Sequence, residues 1–333
     1  MMKKPEFVFA TCRAGSEASL KREVAARHGG WLTPAFMRPQ LITWKARTEM
    51  RPDFELGAAF SALSGWSAGK ATSAVEVASL IEEQALEVSV IHIFPRVFDE
   101  EGVRPEAWSK VDAIHSEIAA LIPIVKASQF ILDVIIGDEG EPWFIGIHRR
   151  TPASHPSPGA LPRVSVPAEA PSRAWSKMEQ ALTWMGLDGA DSLKGQTAVE
   201  LGSAPGGASW ALLQRGMKVI GLDTGTMDAR VLNHPNYTHL SIPAGDVSLR
   251  SLPQQVDLLA SDMNLHPGLA VKYVEYLARH LYPRYLALTL KMNNAQVESE
   301  IPALLQQVRR FAPGEVYARQ LPSNRSEITV ISR

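Results

Sequence analysis

Four short, uninterrupted apolar runs separated by helical patterns dominate the second half of the chain. They are Thr197 to Leu201, Lys218 to Leu222, Val256 to Ala260 and Tyr285 to Leu290. A strand that is apolar at every position, rather than at every second one, is buried on both faces. That is the signature of a parallel sheet covered by helices on each side. Helical patterns lie between the runs at Ala208–Arg215, Leu269–Leu281 and Ala295–Phe311. Two closing runs, Glu315–Gln320 and Glu327–Ser332, read as a terminal hairpin on the sheet. The expected fold class is α/β, with a doubly wound, Rossmann-like domain over residues 172–333.

The remainder of the chain is organised differently. Between Thr151 and Pro171 prolines recur at 152, 156, 158, 162, 167 and 171. Proline lacks the amide donor and fixes φ, so this stretch reads as a linker over residues 151–171. Before it, Phe7 to Thr11 and Leu41 to Trp44 read as strands flanking a helix from Ser16 to Arg27. A second group follows: a strand at Glu87 to Phe94, a helix at Pro105 to Leu121, and strands at Phe130 to Ile136 and Trp143 to His148. The turn at Gly137 to Pro142 joins the last two as a hairpin. Two small α+β units are expected, over residues 1–70 and 71–150.

Composition narrows the function. The 333 residues carry 34 Lys and Arg against 35 Asp and Glu, a net charge of −1. The second half alone, residues 166–333, has 16 basic against 15 acidic side chains. A nucleic-acid contact must therefore rest on local patches rather than on overall charge. The single cysteine, Cys12, excludes an internal disulfide and any cysteine-based zinc cluster, and reads as a small buried hydrophobe. No apolar run approaches membrane-spanning length, and Met1 to Ala10 lacks the form of a secretory signal. A cytoplasmic protein, with no membrane partner and monomeric by default, is the expectation. His266 has no partner at metal-ligand spacing, and no metal is expected.

The segment Val199 to Trp210 joins the end of a strand to the start of a helix through Gly202, Ser203, Ala204, Pro205, Gly206 and Gly207. Glycines there let the backbone turn sharply and approach a ligand. The loop matches neither the dinucleotide pattern G-x-G-x-x-G nor a P-loop, because no lysine follows Gly207. Asp223 ends the next strand, about 20 residues on, where a carboxylate can accept from both ribose hydroxyls. Asp246 is placed to accept from an adenine amino group. A bare turn, a strand-end acid and an Asx turn are the plainer readings of the three. Together they suit an adenosyl cofactor, and with no phosphate-binding pattern S-adenosyl-L-methionine is favoured over NAD or ATP.

Four further polar residues stand at the ends of apolar segments: Lys177, Asp262, Lys291 and Glu327. A ribose 2′-hydroxyl is a weak nucleophile until a base takes its proton. An ordinary lysine, with a pKa of about 10.4, is charged at neutral pH. A neighbouring ammonium and partial desolvation lower that value and expose a neutral amine. Lys291 is read as the general base and Lys177 as the neighbour that tunes it. Asp262 and Glu327 orient the two amines, with Asp262 also helping to place the methionyl group. A solvated strand end is the ordinary setting for each residue alone.

With these segments in view, residues 172–333 resemble the FtsJ-type RNA ribose 2′-O-methyltransferases. The matching stretches are Ser172 to Lys177, Leu201 to Gly207, Ser261 to Met263, Leu288 to Lys291 and Arg319 to Glu327. The resemblance implies a Lys-Asp-Lys-Glu tetrad at Lys177, Asp262, Lys291 and Glu327. The layout of the whole chain is similar to the branch of that family that methylates a cytidine of large-subunit (23S) ribosomal RNA. This implies ferredoxin-like and THUMP RNA-binding regions in the N-terminal half, where Cys12 to Glu17 resembles the family's start. Arg149, Arg150, Arg319 and Arg325 are candidate RNA contacts. Trp175 and Trp210 read as core side chains that could also stack on a base. Two other classes stay open: a methyltransferase for a small molecule or protein, and a non-catalytic RNA-binding assembly factor.

Overall fold

A computed structural model describes residues 5–51, 54–98, 105–163, 166–189 and 191–333. The first four residues of the opening segment, and Val164 and Ser165 of the proline-rich stretch, lie outside the described residues. The chain divides into two units, Met1–Arg163 and Val164–Arg333.

The first unit contains β1 (Phe7–Thr11), α1 (Glu17–His28), β2 (Leu32–Arg38), β3 (Leu41–Ala46), β4 (Leu63–Ala71), α2 (Ala74–Glu83), β5 (Val90–Pro95), α3 (Pro105–Ala119), β6 (Phe130–Ile136) and β7 (Trp143–Arg149). All seven strands form one sheet in the order β2-β3-β1-β4-β7-β6-β5. The boundary expected at residue 70 therefore coincides with no break in the sheet. β4 runs across it, pairing with β1 on one side and β7 on the other. The β6–β7 hairpin forms with Phe130 opposite Arg149. β5 and β6 are parallel, which requires a crossover, and α3 lies in that connection. The stretch from residue 151 to 163 forms no strand and only a short 3-10 turn, Pro158–Ala160. It is still packed: His155, Ala160 and Leu161 are buried, and a Cβ on Gly159 would meet the Phe94 ring at 2.4 Å.

The second unit contains α4 (Ala174–Met185), β8 (Thr197–Leu201), α5 (Gly207–Gln214), β9 (Lys218–Leu222), α6 (Ala229–Leu232), β10 (Tyr237–Leu240), β11 (Leu258–Ser261), α7 (Pro267–Leu281), β12 (Tyr285–Lys291), α8 (Ala295–Ser299), α9 (Ile301–Arg309), β13 (Val316–Arg319) and β14 (Glu327–Ser332). Its seven strands run in the order β10-β9-β8-β11-β12-β14-β13. The first five are parallel, and β14 is antiparallel to both its neighbours. This is the doubly wound sheet the alternation implied. The helix expected over Ala295–Phe311 is two, because Pro302 has no amide to continue α8 and instead sits in the first turn of α9. His266, read as a loop residue, caps α7 by accepting from the Gly268 amide.

Strand order reverses between β8 and β11, so the connections leaving the carboxyl ends of these two paired strands turn to opposite sides of the sheet and leave a crevice. α4 and α5 pack together on one face of this sheet, with Trp175, Met178, Leu182, Leu212 and Ala260 in one core cluster. Among the described residues no helix is long and apolar enough to cross a membrane.

Candidate functional site

The glycine-rich loop leaves β8 at the crevice. Gly202 has φ +76°, and a Cβ there would stand 2.8 Å from the Asp262 carbonyl oxygen. Both the turn and the close approach of the β11 backbone need a residue without a side chain. At Gly207, where α5 begins, a Cβ would meet the Ser172 hydroxyl at 2.2 Å and the Ser172 carbonyl at 2.8 Å. Glycine thus lets α5 start directly against the residues that lead into α4.

Asp223 follows β9 and holds the loop from the other side. One carboxylate oxygen accepts from the Ala204 amide at 2.9 Å and the other from the Gly225 amide at 2.7 Å. Each oxygen keeps a further lone pair for a ligand hydroxyl. Asp246 is exposed on the 3-10 turn Ala244–Asp246, beyond β10.

Lys177 falls inside the expected 172–333 domain. It lies on α4, within the layer of helices. Its ammonium donates to Asp262 Oδ2 at 3.0 Å and lies 2.7 Å from Glu327 Oε2. Lys291, at the end of β12, lies 2.5 Å from Glu327 Oε1 and 3.5 Å from Asp262 Oδ1. The four side chains form a closed circuit in which each carboxylate bridges both lysines. Their placement follows from the sheet. Asp262 follows β11, and its amide donates to the Leu201 carbonyl of β8. Glu327 opens β14 and is the register partner of Lys291. The loop before β14 is tied to α4, because the Ser323 amide and hydroxyl both donate to Gln180 Oε1, one helical turn from Lys177.

The electrostatics correct one expectation. Burial by itself lowers the Lys291 pKa, but the Asp262 charge and the charge and hydrogen bond of Glu327 outweigh it. The ammonium is held above its ordinary value. A depressed Lys291 is therefore not the net outcome, because two carboxylates contact the same ammonium. Burial raises the Glu327 pKa, but the two lysines overcome that and hold its carboxyl below the usual range.

One residue of this crevice escaped the sequence reading. Glu200 is buried on β8 at 2% exposure and accepts from the Ser209 hydroxyl at 2.5 Å. Burial first, then the charges of Asp262 and Asp223, push it up to about 8. Its only sequence signal is a carboxylate inside the apolar run before Gly202. It lines a cleft below Lys177 together with Ala208, Ser261 and Thr289.

Trp175 belongs to the core, its indole donating to Gln214 at 2.7 Å, and Trp210 packs half-buried against that core. Arg319 differs from the expected exposed phosphate contact. Its guanidinium lies over the Trp184 ring, 5.0 Å from the centroid, and burial pushes it down to about 10. Arg325 is exposed on the loop before Glu327. Arg149 and Arg150 are exposed at the end of β7, the first bonded to Gln129 at 2.6 Å. Cys12 is fully buried, and burial pushes its thiol up.

Comparison with known proteins agrees with this architecture. Residues 170–306 match the family described as FtsJ-like methyltransferase. A ribosomal RNA large subunit methyltransferase M of Laribacter hongkongensis is 35% identical, over 61% of this chain and 55% of that protein. The protein of the same name in Halorhodospira halophila is 32% identical, over 53% and 51%. In Teredinibacter turnerae the corresponding figures are 30%, 71% and 68%. In the first two comparisons the chain spans about half the length of its relative.

Proposed function

The chain belongs to the FtsJ-like methyltransferases named ribosomal RNA large subunit methyltransferase M, and from that premise we propose that it methylates a ribose 2′-hydroxyl of RNA. The acceptor proposed is a cytidine of large-subunit (23S) ribosomal RNA. The observation that carries the reading is the closed circuit of Lys177, Asp262, Lys291 and Glu327 beside the glycine-rich loop.

The residues of the crevice fit S-adenosyl-L-methionine. Gly202 to Gly207 supply a backbone surface without side-chain obstruction, Asp223 keeps lone pairs for ribose hydroxyls, and Glu200 and Asp262 line the adjoining cleft. When bound, the cofactor supplies a methyl group on a positively charged sulfur. Lys291 would take the proton of the 2′-hydroxyl as that oxygen becomes the methyl acceptor. In the resting circuit Lys291 is an ammonium, so it must first release a proton to solvent. Two cations and two carboxylates balance in charge, and a further positive charge nearby favours that release. Lys177 holds the two carboxylates in place, and Glu327 and Asp262 aim the Lys291 amine.

Arg325 is proposed to meet the RNA backbone near the reacting ribose, with Arg149, Arg150 and the first unit gripping RNA shape. Asp246 is proposed to accept from the adenine amino group. A cytoplasmic location follows from this substrate.

The test is tritium transfer from labelled cofactor to RNA from cells lacking the protein, beside a metabolite extract and a protein extract. Label is expected in RNA, in alkali-resistant dinucleotides, as a 2′-O-methyl group blocks strand cleavage. Lys291→Ala should abolish it while calorimetry shows cofactor still bound. Label confined to metabolites or protein refutes the reading.

A further inference from the structure

Three adjacent strands of the first unit bring His92 (β5), Asp133 (β6) and His148 (β7) to one buried place. Their exposures are 6%, 0% and 4%. His92 stands directly opposite Asp133 in the β5–β6 register, and His148 sits two positions along β7 from Gly146, the partner of Asp133. All three side chains therefore share one face of the sheet. Among the described residues no other group of three or more His, Cys, Asp or Glu side chains converges so closely, with one ligand atom from each lying within 4.8 Å of the others.

The contacts inside the group are uneven. His148 Nδ1 lies 2.5 Å from Asp133 Oδ2. His92 Nδ1 lies 3.7 Å from Asp133 Oδ1, too far for a hydrogen bond, and neither of these two buried atoms has a hydrogen-bond partner. Buried polar atoms are nearly always partnered, so such a pair needs an occupant or an explanation. Ligand atoms held at about 2.0–2.2 Å from a tetrahedral ion stand roughly 3.3–3.6 Å apart. The 3.7 Å gap is close to that spacing, whereas the 2.5 Å contact of His148 with Asp133 is a hydrogen bond that must open for both residues to reach one ion. A water could also bridge one donor and one acceptor. It would leave unexplained why a second imidazole nitrogen faces the same carboxylate.

We propose that His92, Asp133 and His148 bind a divalent transition-metal ion of the zinc class, with two imidazoles and one carboxylate as ligands. One position then remains for a water or a further ligand. The ion fixes β5, β6 and β7 to one another and has no part in methyl transfer. The single cysteine and the unpartnered spacing of His266 argued against a metal. The ligands are scattered along the chain and meet only through strand pairing.

The test uses the full chain, stripped with chelator and reloaded separately with Zn(II) and Co(II), then freed of excess ion by gel filtration. Elemental analysis should find about one ion per chain, and bound Co(II) should show the intense visible bands of a four-coordinate site. His92→Gln and Asp133→Asn should lose the ion at least tenfold while circular dichroism stays that of the wild type. Because a variant can fail to fold, the wild-type chain gives a second readout: its Tm should fall on stripping and recover on adding Zn(II). A stripped, folded chain that retains neither ion, with a Tm indifferent to chelator, overturns the proposal. Retention undiminished in both variants, marking an adventitious ion only, overturns it equally.

Discussion

Glu327→Gln keeps the shape of the side chain and removes one charge from the Lys177–Asp262–Lys291–Glu327 circuit. Glu327 is 10% exposed, and the lysines it bridges are 12% and 16% exposed, so the pairs belong to the buried regime rather than the surface one. Removing one partner of a buried pair costs about 3–5 kcal/mol when nothing replaces it. Here each lysine keeps Asp262, at 3.0 Å and 3.5 Å, so the expected loss is smaller, about 2 kcal/mol. For a unit of this size that is a fall in Tm of about 4–8 °C. The same substitution removes one of the charges that hold the Lys291 ammonium above its ordinary value. Methyl transfer should rise with pH as Lys291 loses its proton, and in the variant this rise should move to lower pH. Lower overall activity, by about 10²-fold, is expected from loss of aim in the amine. The assay is tritium transfer to unmodified RNA across neutral and alkaline pH, beside a thermal melt at fixed pH. A pH–rate rise that stays put, or moves upward, would refute the role of Glu327 in setting the charge state of the base.

Other outcomes follow from neighbouring residues. Gly202→Ala places a Cβ 2.8 Å from the Asp262 carbonyl at φ +76°; calorimetry should find cofactor binding weakened at least tenfold, about 1–3 kcal/mol of strain. Unchanged affinity would show that the loop yields. Glu200 is raised to about 8, so the folded state binds its proton more tightly than the unfolded state does, and it lowers stability as pH climbs from the ordinary carboxylate range towards 8. Denaturant unfolding of Glu200→Gln should show less of that decline than the wild type, and an equal decline would contradict a protonated buried acid. Glu327 is depressed, so its contribution is present above the ordinary carboxylate range and is lost as pH falls through the folded value. Acid titration of stability should therefore be shallower in Glu327→Gln, and identical curves would argue against the pairing.

The parallel core of the second unit was legible because its strands are apolar at every position, and the glycine-rich loop because it interrupts that pattern at a strand end. Chain-end strands were legible too, as a hairpin. Their insertion order was not: β14 lies between β12 and β13, and only that order sets Glu327 opposite Lys291. In the first unit, β2 carries a proline and β4 two glycines among mixed polar and apolar positions, so both give little periodic signal. The pairing of β4 with β7 joins residues far apart in sequence, so local pattern left the sheet divided in two. Arg319 shows the limit of reading charge as surface: its neighbour Trp184 is distant in sequence, and nothing in the local pattern announces the ring beneath the guanidinium.

Inserting β14 between two strands has a consequence for synthesis. Until Glu327–Ser332 has emerged from the ribosome, β12 keeps an open edge and β13 has no strand beside it. Such an edge is an invitation to pair with the wrong chain. Lys291 meanwhile lacks the acid that stands across from it. Of the seven strands of this sheet, the one made latest therefore closes it and completes the four-residue cluster in one act, and a nascent chain stalled short of it holds a sticky border and an unfinished site.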